Sequence, residues 1–573
     1  MKLLFRSYLA SLRERDELDA ILPDLLSELG FTVYSRPQRG TAQAGVDVAA
    51  VGIDEDGERK VFLFSVKQGD LTRQSWNDGT VQGLQPSLDE ILNNYIPHRI
   101  PKRYQKLKVV ICVVFGGDMQ EQVRSAVTGY FGRNSNRKVS FDEWNGDKLA
   151  GLLIEGVLRE KVMPKALQFS FQKSVAMVDE PDIAYRHFMR LVKELNKLVT
   201  SERTRIRVAR QLYIAAWVLF VWARDAGNID SAYRASELVL LHIWNLFRPY
   251  IGRKPNKTGK ELNLIINYTV QLHLTIALEL LDKKLLPHVG TRDGISTAVH
   301  TRASVDVNIK LFDVLGRIAL TGLWVQWFAE REPNLDRKAV AQRKANELTT
   351  QCFQLIENNR ALFLPIQDQQ AIEISLFLLL VGVANGNLHD TRSWLHQMVD
   401  RLALSIRTHG RYPCIFSDYR DLVAHPRERT EEYRRDATAG SILIPLIAAF
   451  TSALNDRSAF ETLISLKAKE LAHCTLQLWL PDKSSEEGIY VGSQDHGVAL
   501  CEIPLSDSND TLIQTIDKAC RETEGFVELS AIATGFWPLI LTACRHYRLP
   551  VPPQLWISLV RPEPSLGSET TAS

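Results

Sequence analysis

Gly45-Val46-Asp47-Val48 and the apolar run Val61-Phe62-Leu63-Phe64, which continues as Ser65-Val66-Lys67-Gln68, hold the residues of this chain best suited to chemistry. The turn-forming Asp54-Glu55-Asp56-Gly57 lies between them, so the two runs read as a β-hairpin that brings a carboxylate and an ammonium to one end of a sheet. Such a pair suits metal-assisted phosphodiester cleavage. A cation held by a carboxylate polarises the phosphoryl oxygen and lowers the pKa of bound water. A lysine ammonium stabilises developing charge or orients that water. Hard oxygen ligands point to magnesium, with manganese as the alternative ion.

The hairpin register decides whether these groups meet. A three-residue loop, Glu55-Asp56-Gly57, with Gly57 in the left-handed region, sets Asp47 opposite Ser65 with Lys67 diagonal to it, all on one face. A two-residue Asp56-Gly57 turn pairs Asp47 with Val66 and sends Ser65 and Lys67 to the other face. Without that convergence Asp47 is a capping residue and Lys67 a solvated strand end, as single charged residues usually are.

The elements that must position the pair are legible around it. Leu18, Ile21, Leu22, Leu25, Leu26 and Leu29 fall at helical spacing before Gly30. Strands are expected at 31–35, 46–51 and 60–67, a helix at 86–95, a buried strand at 107–115, a helix at 119–130, a short strand at 138–141 and a helix at 146–158. The order αβββαβαβα is that of an α/β layered domain over residues 1–160. Long helices fill 165–470, interrupted by the arginine-bearing stretch 409–436, which reads as a solvated connection. Residues 471–561 suggest a small α+β element with strands at 475–480, 488–492 and 497–503, and 562–573 a disordered tail.

At 573 residues the chain is too long for one core, and its 45% hydrophobic and 24% charged composition is ordinary for globular protein. A net charge of +2 makes any electrostatic case local. Seven cysteines without a CxxC pair suggest neither disulfides nor zinc, and fit the cytoplasm. The apolar runs 212–223 and 374–384 are short for a bilayer span, so no membrane partner is expected.

Gly-Val-Asp, a strand and turn, then Ser-Val-Lys ending an apolar strand, all after a helix ending in Leu29-Gly30-Phe31, resembles the PD-(D/E)XK restriction-endonuclease-like superfamily. The nearest flavour is that of Mrr-type enzymes and the nuclease domains of antiphage defence effectors. The resemblance covers roughly residues 10–155, including Phe141-Asp142-Glu143-Trp144 and Leu149. It implies a metal-dependent endonuclease, acting on DNA rather than RNA, in defence against phage or mobile DNA. Asp47 is then a metal ligand, Lys67 the catalytic lysine, and Glu17 or Asp19 an accessory carboxylate. The implied metal set is Asp47, Glu17 and Val66. Ser65 stands where the family has Glu, Asp or Gln, so either Glu17 or Asp19 supplies the carboxylate or catalysis is weakened or lost; Asp70 is a poorer substitute.

Gln68 follows the lysine as in family members and is a candidate nucleic-acid contact, as is Arg73. Arg99, Lys102, Arg103 and Lys106 form a basic segment around Tyr104, able to neutralise phosphates without reading bases. Arg133, Arg137 and Lys138 read as surface charge. Gly252–Lys260 fails as a phosphate loop, because Glu261 stands where Ser or Thr should bind magnesium. The helical region is expected to sense a protein or small-molecule trigger, and double-strand cleavage favours a homo-oligomer. The competing expectation is a degenerate nuclease fold that binds nucleic acid or protein.

Overall fold

A computed structural model describes residues 6, 9–10, 18–36, 44–54, 56–80, 83–156, 165–254, 256–299, 304–384, 386–425, 427–484, 486–493, 497–505, 509–523 and 525–561. The chain divides into two compact units, residues 1–235 with 260–265, and residues 236–259 with 266–573. The first helices after 165 thus belong with the sheet, and the division expected at 160–165 is not where the compact units part.

The first unit is built on a five-stranded sheet of sequential order: β1 (Thr32–Ser35), β2 (Val48–Ile53), β3 (Arg59–Lys67), β4 (Val109–Phe115) and β5 (Val139–Trp144). β1 with β2 and β2 with β3 pair antiparallel, whereas β3, β4 and β5 are mutually parallel. The central strands are nearly continuous in Val, Ile and Phe because both faces are covered.

Odd-numbered sheet residues, among them Ala49, Leu63, Ile111 and Val113, share one core with Trp76 of α2 (Arg73–Trp76), Leu84 and Leu88 of α3 (Leu84–Glu90), and Val123 and Val127 of α4 (Glu121–Asn134). Even-numbered residues such as Phe62, Phe64 and Cys112 are equally buried on the other face. There α1 (Asp19–Glu28) packs on β1, β2 and α5 (Gly146–Gly156). Phe31 and Trp144 pack edge-on against Phe62 and Phe64, each at 5.0 Å. The helix expected at 86–95 runs from α3 through a π-helical turn, Ile91–Tyr95, to His98.

α1 is also tied to the helix Glu202–Asp225 by buried charge. Asp24 lies 3.4 Å from Arg36, and burial raises its carboxyl pKa against the pull of Arg36 and Arg210. Arg210 in turn pairs with Glu261 at 3.0 Å.

Among the described residues, two helices are long and apolar enough to cross a bilayer, Glu202–Asp225 and Lys257–Val289, with 83% and 56% of their most apolar windows buried inside the protein. Burial of this extent is what core helices show. The second unit is largely helical. Gly488–Gly492, expected as a strand, lies instead in or just beyond the helix Glu486–Val491, in which Ile489 and Tyr490 are buried and the Glu486 carboxylate accepts the Ser530 N–H. Of the other expected C-terminal strands, only Thr475–Leu476, Leu478–Leu480 and Val498–Leu500 form, as short pairs. The stretch 409–436 carries two short helices, Tyr419–Ala424 and Glu431–Ala437, held by His425 between the Tyr433 hydroxyl and the Tyr412 carbonyl. The tail 562–573 lies outside the described residues.

Candidate active site at the end of the central strand

The register is the one that the three-residue loop requires. Val48 pairs with Phe64 and Ile53 with Arg59, Asp54 N–H donates to the Glu58 carbonyl, and Gly57 has φ +79°. Ser65 and Lys67 therefore share the odd-numbered face, Ser65 buried and Lys67 half-buried.

Asp47 departs from simple alternation. Its N–H donates to the Phe64 carbonyl, and its own carboxylate accepts the Val66 N–H at 2.8 Å. The side chain takes the place of a strand carbonyl as β2 begins, next to Lys67. Gly45 makes this entry possible: it has φ +77°, and a β-carbon there would lie 2.1 Å from the Ser87 carbonyl oxygen of α3. The Gly-Val-Asp spacing thus encodes a tight turn under α3 followed by a carboxylate at the strand end.

Past Lys67 the chain is pinned beside the exit of β4. Gly117 N–H donates to the Gly69 carbonyl, Leu71 N–H to the Asp118 carbonyl, and Asp118 N–H to the Asp70 carboxylate. Thr72 and Ser75 then cap α2 reciprocally, and Trp76 anchors it against Tyr130 at 5.5 Å. This fold-back delivers Asp78, an acid that sequence reasoning missed. Hydrogen bonds from the Thr80 hydroxyl and N–H hold its carboxyl below the usual range, and the Lys67 ammonium adds to the effect. Asn77-Asp78-Gly79-Thr80 was readable as a turn, but nothing in its spacing ties it to Lys67.

Asp47, Asp70, Asp78 and Asp118 thus gather at the Lys67 end of the sheet, with Arg73 exposed on α2 and Arg6 paired to Asp118. Gln68 is exposed, on the opposite alternation from Lys67. Val66 is fully buried, so only its backbone carbonyl has the chemistry of a metal ligand. Glu17 lies outside the described residues. Asp19 opens α1, which packs on β1, β2 and α5. Among the described residues, no three or more His, Cys, Asp or Glu side chains form a metal-holding group.

The basic segment is at the wrong end. Lys108, which closes it, pairs with Glu58 of the hairpin loop at 2.8 Å, and its carbonyl accepts the Val61 N–H. Arg99, Lys102, Arg103 and Lys106 are exposed there, and the length of β3 separates them from Lys67, roughly 26 Å at about 3.3 Å per residue. They do not share phosphates with the Asp47/Lys67 end. Tyr104 is no stacking platform either: it is buried, 5.5 Å from Tyr34 and beneath Arg103.

No family model, curated protein or solved structure matches this chain. The residues and their geometry carry the functional argument. Replacing Asp78 with Asn is expected to leave stability within about 0.5 kcal/mol, as for an exposed side chain. If Asp78 serves the site, the same change lowers cleavage at least tenfold; unchanged cleavage would make it a surface turn residue.

Proposed function

We propose that the first unit carries a metal-dependent nuclease acting on DNA, of restriction-endonuclease-like type, used against phage or other mobile DNA. The observation that carries this reading is the Asp47 carboxylate, bonded to the Val66 N–H beside Lys67, at the end of the central strand β3. An antiparallel β1-β2-β3 meander joined to a parallel β4 supports it.

The donors suit a hard cation: the Asp47 carboxylate and the Val66 carbonyl would hold magnesium, which supplies a water of lowered pKa when bound. The surplus of carboxylates at this end explains why a polyanion would need a cation there. Lys67 projects from the same strand end and places its ammonium against charge building on phosphate oxygens. Asp47 fixes the backbone that carries Lys67, so the two act as one positioned pair. Arg73, on the capped turn of α2, neutralises an adjacent phosphate.

Ser65 favours a second reading, a degenerate nuclease fold that binds without cutting, because a buried hydroxyl replaces a carboxylate. The deciding measurement is cleavage of plasmid DNA and of RNA with magnesium or manganese by wild type, Asp47→Asn, Lys67→Ala and Glu17→Gln. Cleavage that is lost in the first two variants supports the enzyme. Equal activity in all four proteins, or DNA binding without any metal-dependent cleavage or stabilisation, overturns it.

A further inference from the structure

The second unit contains a cavity of about 550 Å³, within the range of small-molecule sites. Leu285, Ile295, Val299, Ile309 and Val314 give it apolar walls, and Tyr419 stands at its rim, 52% exposed. One wall is a π-helical turn, Leu281–Leu285, at the end of the long helix that begins at Lys257. Such widened turns sit frequently at functional sites, and this one presents Lys284 and Leu285 to the cavity.

Charge is distributed unevenly around the opening. Both acids of the lining are already engaged: Asp313 with Lys310, Arg317 and Arg545 at 3.3, 3.0 and 2.6 Å, and Asp306 with the Tyr419 hydroxyl. Lys284 and His288 are exposed at the mouth and make no ion pair among the described residues. An apolar chamber with a lysine ammonium and an imidazole at its mouth matches a molecule with an apolar body and an anionic head.

We propose that this cavity binds an amphipathic organic anion, its apolar body between Leu285, Ile309 and Val314 and its carboxylate or phosphate against Lys284 and His288. The site lies wholly within the second unit, so its occupancy is measurable whether or not the sheet end cuts nucleic acid.

The test is calorimetric titration of the full chain, below the micelle threshold, with dodecanoate, dodecyl phosphate and the cationic dodecyltrimethylammonium. Both anions are expected to bind at least about tenfold more tightly than the cation, and whichever binds more tightly identifies the head group. Lys284→Glu is expected to weaken the anions about tenfold and leave the cation unweakened. Ile309→Trp, which fills the chamber, is expected to remove binding of all three. Equal affinity for anion and cation, or anion binding undiminished in both variants, would overturn the proposal. Lys284 is exposed, so its variant remains informative if Ile309→Trp fails to fold.

Discussion

Asp47→Asn is expected to lower magnesium-dependent cleavage at least about 100-fold with little loss of stability, whereas Asp47→Ala loses both activity and stability. The two variants separate the two jobs of one carboxylate. Its oxygen accepts the Val66 N–H in the interior of the sheet, and an asparagine carbonyl oxygen can do the same. Its charge is what a cation needs, and asparagine has none. Removing one group that stabilises the reacting charge costs two to three orders of magnitude in typical enzymes. Alanine also leaves the Val66 N–H without its acceptor, a penalty of about 1–3 kcal/mol. Chemical unfolding beside a plasmid-nicking assay reads both quantities. If Asp47→Asn retained full cleavage, Asp47 would be a strand cap and nothing more.

The same duality explains what was legible in the sequence. Apolar runs and turn residues located all five strands of the sheet, because composition and loop chemistry are local properties. Gly57 marked the hairpin turn but left a three- and a two-residue loop open, and Gly30 marked the end of α1. Asp47 was readable as chemistry or as a cap, and in the fold it caps. What the sequence could not show was where loops go in three dimensions. Asp78 comes within electrostatic range of Lys67 because Gly69, Leu71 and Gly117 knit the chain back beside β4, through contacts distant in sequence. The basic segment misled for the complementary reason: it is close to Lys67 in sequence distance, yet a parallel crossover returns the chain to the far end of the sheet before β4 begins. Gly488–Gly492 reads as a strand from local propensity, and tertiary burial of Glu486 and Tyr490 makes it a helix.

Arg545→Met is expected to destabilise the second unit by about 3–5 kcal/mol, because it breaks a buried ion network while keeping side-chain bulk. Arg545 donates to Glu237 and to Asp313, each at 2.6 Å, and His546 closes on the other Glu237 oxygen at 3.0 Å. Arg545 and Glu237 are 6% and 1% exposed, so without the guanidinium the Glu237 carboxylate keeps its burial and loses its main counter-charge. The pH dependence has a definite sign. Burial alone would push the Glu237 carboxyl up, but Arg545 and His546 outweigh it and hold the pKa at about 2, below the ordinary 4.5. A depressed acid contributes stability that is complete above about pH 4.5 and is lost as pH falls toward about 2. In Arg545→Met that carboxyl titrates higher, nearer its unfolded value, so the stability lost between about pH 4.5 and 2 should shrink. Urea unfolding between pH 3 and 7 measures both effects. Glu237→Gln with Arg545→Met together should recover part of the loss, since the buried Glu237 charge is then gone and Asp313 keeps Lys310 and Arg317. A cost below about 1 kcal/mol, with an unshifted acid limb, would mean that water already screens the network.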